Sequence, residues 1–230
     1  VNEQLPLAFS SREESKFSDF LPTRSTRLVI EELRRFTRKE SERVIFLCGE
    51  SGSGKTHLLH AACHSLMAQG ELPVYLSLQQ SYLNPAAFDN LEYHGVVCLD
   101  DLERILGQEG FEETLFHFYN RCQEQKTQLL IAARKPASKL NFLLPDLQSR
   151  LYHGLTLTLD PLTDAEKIYV LQQKAHQRGI EFTIDAGAYL VRHASKDMTT
   201  LMNYLEELDK ATLIKQRKLT IPFIKSVLGL

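Results

Sequence analysis

Several protein classes are excluded by what this chain lacks. Its four cysteines, Cys48, Cys63, Cys98 and Cys122, are scattered and form no CxxC pair. Each lies among apolar neighbours, so they read as reduced, buried thiols of a cytoplasmic protein and not as a disulfide or zinc framework. The longest unbroken apolar runs, Val44 to Cys48 and Leu129 to Ala133, fall far short of the ~20 residues a spanning helix needs, and no membrane segment is expected. No apolar leader core stands near the N-terminus, so no signal peptide is expected. With 11 glycines and 8 prolines in 230 residues, a collagen-like or low-complexity chain is excluded. Positive charge is not in excess either. Lys and Arg number 27 against 29 Asp and Glu, a formal −2, so the whole-molecule field does not advertise nucleic acid.

What remains is a globular composition, 43% hydrophobic and 24% charged, long enough for one large or two smaller domains. Residues 1–25 read as irregular, and Thr26 to Lys39 as a helix with Leu28, Val29, Leu33 and Phe36 on one face. Apolar runs at Val44–Cys48, Val74–Leu78, Val96–Asp100, Leu129–Ala133 and Leu155–Leu159 then read as buried strands. Amphipathic helices, among them Lys55–Gln69 and Phe111–Gln125, lie between most of them. Asn84 reads as an N-cap before Pro85 at a first helical position. Such alternation predicts an α/β fold with a parallel sheet covered by helices on both faces. Beyond Pro161 the pattern is helical only. It opens on a Thr163/Glu166 capping box, with helices over about 163–178, 185–194 and 197–215 and a last one from about Thr220. The predicted organisation is a tail over 1–16, an α/β domain over 17–160 and a small helical lid over 161–230.

Gly49-Glu50-Ser51-Gly52-Ser53-Gly54-Lys55-Thr56 is a complete GxxxxGK[ST] between a strand and a helix. Its glycines let the backbone wrap so that N–H groups point at phosphate oxygens, aided by the helix N-terminus. Lys55 is placed to reach the β- and γ-phosphates, and the Thr56 hydroxyl to ligate Mg²⁺. Val96 to Asp101 supplies the partner strand. Asp100 at its end would hold Mg²⁺ through water, and Asp101 would orient an attacking water. His57, His60 and His64 share a helix face at metal-ligand spacing. That helix must pack on the sheet, however, and no carboxylate joins them, so packing or surface histidines are expected.

The P-loop with Thr56-His57-Leu58-Leu59-His60-Ala61, the Leu99-Asp100-Asp101 strand and Leu147-Gln148-Ser149-Arg150-Leu151 resemble the AAA+ ATPase domain of the bacterial replication initiator DnaA. Gln216 to Lys225 and Gln4-Leu5-Pro6-Leu7-Ala8-Phe9 resemble the DnaA-related regulatory inactivators within that family. The resemblance covers about residues 17–230. It implies an ADP-bound (or ATP-bound) adaptor, with Mg²⁺, that docks on the DNA-loaded sliding clamp and makes a DnaA-type initiator hydrolyse its ATP. Replication initiation is thereby regulated negatively. It further implies that Arg150 is an arginine finger acting in trans, and that Gln4, Leu5, Leu7 and Phe9 bind the clamp. Phe20 and Leu21, in a segment like the family's base-pocket strand, and His57, within the matching P-loop segment, join Gly49, Ser51, Gly52, Ser53, Gly54, Lys55 and Thr56 at the nucleotide. From the residues alone, Arg150 reads as a surface arginine in an ion pair, the N-terminal segment as a strand on its own domain, and the Phe17–Leu21 aromatics equally as a core cap.

Three departures bear on the expected activity. Only a short connection joins Leu78 to Gly95, without room for the initiator's extra helix for single-stranded DNA. No helix-turn-helix domain is expected to follow. DNA is therefore expected only indirectly, through the clamp, and the basic stretches Arg34–Arg43 and Lys215–Lys218 read as solvated faces. Finally, Ala132, Ala133 and Arg134 stand where a polar sensor is usual. Thr199 in Asp197-Met198-Thr199-Thr200 replaces the lid arginine and is too short for its contact. Weak intrinsic turnover is expected. The other reading is a self-sufficient AAA+ ATPase of the helicase-loader type, which the intact Lys55, Thr56, Asp100 and Asp101 support. A homo-oligomer is compatible with either.

Overall fold

The computed structural model describes residues 15–20, 23–80, 83–108, 110–195, 197–215 and 219–229. Two compact units are present, Val1–Glu50 with Gly54–Asp160 and Ser51–Ser53 with Pro161–Leu230. In the first, five strands, β1 (Val44–Gly49), β2 (Val74–Ser77), β3 (Val96–Asp100), β4 (Gln128–Ala133) and β5 (Leu155–Leu159), form one sheet in the order β2-β3-β4-β1-β5. Every pairing is parallel. Helices α1 (Arg24–Thr37), α2 (Lys55–Met67), α3 (Phe111–Gln125) and α4 (Pro145–Tyr152) belong to the same unit.

A parallel sheet needs both faces covered, and two cores do so. Because side chains alternate along a strand, Ile45 and Leu47 join α1 and α2 residues such as Leu33, Phe36, Leu58 and Leu66 on one face. Phe46 and Cys48 join Leu99, Phe118, Leu147 and Leu151 on the other. The helix carrying Arg150 thus packs on the face opposite α2. Cys63 and Cys98 meet in the α1/α2 core, Sγ to Sγ 3.6 Å apart, and all four cysteines are free and buried.

Several boundaries differ from the sequence reading for definable reasons. The edge strands β2 and β5 are only half buried, since each has a neighbour on one side alone. In β5 the leucines pack inward while Thr156 and Thr158 face out. Helix α1 starts two residues before Thr26 because Thr23 caps it, its hydroxyl accepting from Thr26 N–H at 3.2 Å. Pro85 begins a single 3₁₀ turn, Pro85–Phe88, in which the Asn84 side chain makes no capping bond. Helix α4 was not anticipated.

The second unit holds α5 (Asp164–Gln177), α6 (Ile184–His193), α7 (Met198–Lys215) and α8 (Ile221–Leu228). Its core includes Leu171, Leu190, Leu201, Leu205, Leu208 and Ile224. The Thr163/Glu166 capping box is formed, with both reciprocal bonds. At Gly187 the helices approach closely. A Cβ there would lie 2.8 Å from Ile168 Cγ2 and 3.2 Å from the Phe182 ring. Among the described residues no helix is long and apolar enough to cross a membrane.

Candidate functional site

The loop from Gly49 to Thr56 joins the interior strand β1 to α2. Gly52 and Gly54 adopt φ of 73° and 96°, a region that costs a side-chain-bearing residue. A Cβ on Gly54 would also collide with the Phe20 ring. Gly54 is the N-cap of α2 and offers no capping side chain, so the first-turn amides are left for an outside acceptor. The Ser53 hydroxyl is buried and has no hydrogen-bond partner among the described residues. These amides and this hydroxyl form a donor set suited to a phosphate.

Lys55 is buried and its Nζ donates to Gly49 O at 2.7 Å and Glu50 O at 3.0 Å. Burial lowers its pKa, opposed by Asp100, Glu103 and Asp101. Thr56 Oγ1 donates to Asp100 Oδ2 at 2.6 Å, so the hydroxyl and carboxylate expected at a metal lie together. Asp100 is 1% exposed. It also accepts from Tyr75 O–H at Oδ2 (3.0 Å) and from Asp101 N–H at Oδ1 (2.9 Å). Tyr75 had no role in the sequence reading; its pairing with Asp100 depends on β2 lying beside β3. Asp101 sits at φ 58°, and burial, then Asp100 and Glu103, raise its carboxyl pKa.

Phe20 and His57 are both at the loop, ring centroids 5.4 Å apart, and His57 Nε2 lies 3.4 Å from Lys16 O. Leu21 lies outside the described residues, as do Gln4, Leu5, Leu7 and Phe9 and the basic run 216–218. His60 stacks on Tyr75 at 4.3 Å. Among the described residues no His, Cys, Asp and Glu group has the makings of a multi-ligand metal site. At the end of β4, Arg134 is held by Glu103, Nε to Oε1 3.0 Å, with its backbone N–H on Oε2 at 3.2 Å. In the second unit Thr199 is exposed, and Asp197 caps α7 by accepting from Thr200 N–H at 2.9 Å.

Arg150 is exposed on α4. Its guanidinium lies 4.9 Å over the Phe116 ring and 5.9 Å over Tyr119, and Tyr119 O–H donates to Arg150 O at 3.5 Å. No carboxylate pairs with it among the described residues, so the ion pair read from the residues alone is replaced by aromatic stacking. Leu143, just before that helix, and Tyr152, its last residue, are exposed too.

Residues 12–158 match the family model of the bacterial DnaA ATPase domain. The chain belongs to that family. Residues 164–228 match the model of the Hda lid domain, so the helical unit of this DnaA-family protein is a lid of the Hda type. Solved structures agree in fold. Domain III of the Thermotoga maritima replication initiation protein DnaA is similar with a TM-score of 0.81 at 16% identity, over 95% of this chain and 97% of that one. AMPPCP-bound DnaA from Aquifex aeolicus gives 0.73 at 20%, over 87% and 66%. A DNA replication initiation factor gives 0.72 at 20%, over 89% and 65%. The chain spans just under two thirds of these last two relatives. The family and the fold make this an AAA+ P-loop nucleotide-binding domain with a helical lid.

Proposed function

We propose that this protein is an ADP-bound regulatory adaptor. It docks on the sliding clamp through Gln4, Leu5, Leu7 and Phe9 and drives ATP hydrolysis on a DnaA-type initiator with Arg150 as a trans arginine finger, so that initiation is held back. The observation that carries this reading is the state of Arg150. An arginine stacked on aromatic rings, exposed and without a carboxylate among the described residues, keeps its charge for a partner.

In the chain's own site, the amides from Gly52 to Thr56, the Ser53 hydroxyl and the Lys55 ammonium would hold the β-phosphate. Thr56 and Asp100 fit Mg²⁺, which when bound supplies the charge that neutralises the phosphates. Phe20 and His57, both at the loop, line the approach for the base. Asp101 is placed to orient a water, and burial, then Asp100 and Glu103, raise its carboxyl pKa. Arg134 is committed to Glu103, and Thr199 is too short to reach a γ-phosphate. These features support retention of nucleotide over turnover. At the initiator's ATP, Arg150 instead meets the charge spread over the transferring phosphoryl group, an effect worth about 10³–10⁵ in rate elsewhere. The 78–95 connection holds only two single 3₁₀ turns among its described residues, which supports DNA contact through the clamp alone.

The test is ATP hydrolysis by a DnaA-type initiator with this protein, ADP and DNA-loaded clamp. A clamp-dependent rise is expected, lost with Arg150→Ala while ADP binding persists. Normal stimulation by that variant sinks the finger role. The intact Lys55, Thr56 and Asp100 support a second reading, a self-sufficient ATPase. Turnover by the protein alone at ~1–10³ s⁻¹ would favour it.

A further inference from the structure

Glu112 stands in the first turn of α3, 3% exposed. Its Oε2 accepts from the backbone N–H groups of Leu143 (2.8 Å) and Leu144 (2.9 Å), and its Oε1 from Gly107 N–H (2.8 Å). No cation pairs with it among the described residues. A buried charge is costly unless fully hydrogen-bonded, and these three charge-assisted bonds meet that demand. Leu144 is the N-cap of α4 and has no side-chain oxygen to cap it, and Pro145 follows it. The carboxylate therefore grips the chain where α4 begins.

The far end of α4 is gripped by the same helix. Phe116 and Tyr119, four and seven residues beyond Glu112, fall on the same face of α3 and lie under the Arg150 guanidinium. One stripe of α3 thus holds an eight-residue helix at its start and at its arginine. Along α4, Leu147 and Leu151 bury against the sheet and Gln148 Nε2 donates to Ala137 O at 3.0 Å. That packing keeps α4 formed, Leu144 itself packing against the same core, and Glu112 adds the polar grip on the N–H groups at its start.

We propose that Glu112 is a positioning residue for Arg150: its carboxylate fixes the start of α4 and, through that helix, the place at which the guanidinium is presented to a partner's nucleotide. The inference rests on the trans-finger reading above. A finger is sensitive to placement, because a displacement near 1 Å costs on the order of 10²-fold in rate.

The experiment uses the full chain carrying Glu112→Met, which keeps the volume and removes the acceptors, and Glu112→Gln, whose carbonyl still accepts from Leu143 and Leu144. Three quantities are read: clamp-dependent ATP hydrolysis by a DnaA-type initiator, binding of a fluorescent ADP analogue, and amide exchange at Leu143 and Leu144. Glu112→Met is expected to lower stimulated hydrolysis by about 10- to 100-fold, to speed exchange at those two amides and to leave ADP binding unchanged. Glu112→Gln is expected to restore most of the stimulation. Full stimulation by Glu112→Met despite faster exchange overturns the proposal, as does a parallel loss of ADP binding. Should Glu112→Met fail to fold, Glu112→Asp, which withdraws the carboxylate by one methylene, carries the same test. Arg150→Ala separates the two layers. If it stimulates normally, the finger reading falls and this inference with it. If it is inactive while Glu112→Met is normal, only the role of Glu112 falls.

Discussion

Lys55 shows the tension between binding and folding at a single side chain. Burial holds its pKa below the ordinary lysine range, so its ammonium is a net cost to the ligand-free fold at neutral pH. The sign follows: the folded state binds that proton less readily than the unfolded chain, and the cost eases as pH rises. Lys55→Met is therefore expected to leave the ligand-free protein no less stable. It is also expected to abolish the rise in Tm with ADP, which at a hundred times Kd corresponds to about 2.7 kcal/mol. Thermal melts with and without nucleotide check both halves. Tyr75 is the second case. Tyr75→Phe keeps the ring on His60 but removes one donor from Asp100 Oδ2. A loss of about 1.5 kcal/mol in urea unfolding is expected; no loss would mean that water replaces the hydroxyl freely.

Among the elements, the lid depends on the close passage of α5 and α6 at Gly187. Gly187→Val drives a branched side chain into Ile168 and Phe182 and is expected to cost about 2–3 kcal/mol, read as a lower urea midpoint. That glycine gave no warning in the sequence, because its constraint comes from a helix that packs against it. The same division runs through the site. The P-loop was legible because its chemistry is contiguous, and β3 because four apolar residues end in two acids. Tyr75 and Glu112 were not, since each acts on a group 25 or 31 residues away that only the folded sheet brings near. Helix α4 escaped because eight residues with two buried leucines are too few to show a helical period. The half-buried edges of β2 and β5 depend on strand order, which apolar runs do not encode.

At the scale of the whole molecule, the proposed division of labour separates three activities along one chain. Gln4→Ala with Leu7→Ala is expected to abolish capture by immobilised sliding clamp while ADP binding stays unchanged; undiminished capture would show that another surface meets the clamp. The strand order carries a further consequence, for synthesis. The interior strand β1 has no partner nearby in sequence: Val44 pairs with Leu129, and Ile45 with Leu155. At ~5–20 residues per second, a ribosome exposes that strand for roughly 5–20 s before either neighbour has emerged. Until then its two apolar faces and both its hydrogen-bonding edges stand open. Nascent chains stalled before β4 are thus expected to recruit a holding chaperone more than chains released after β5.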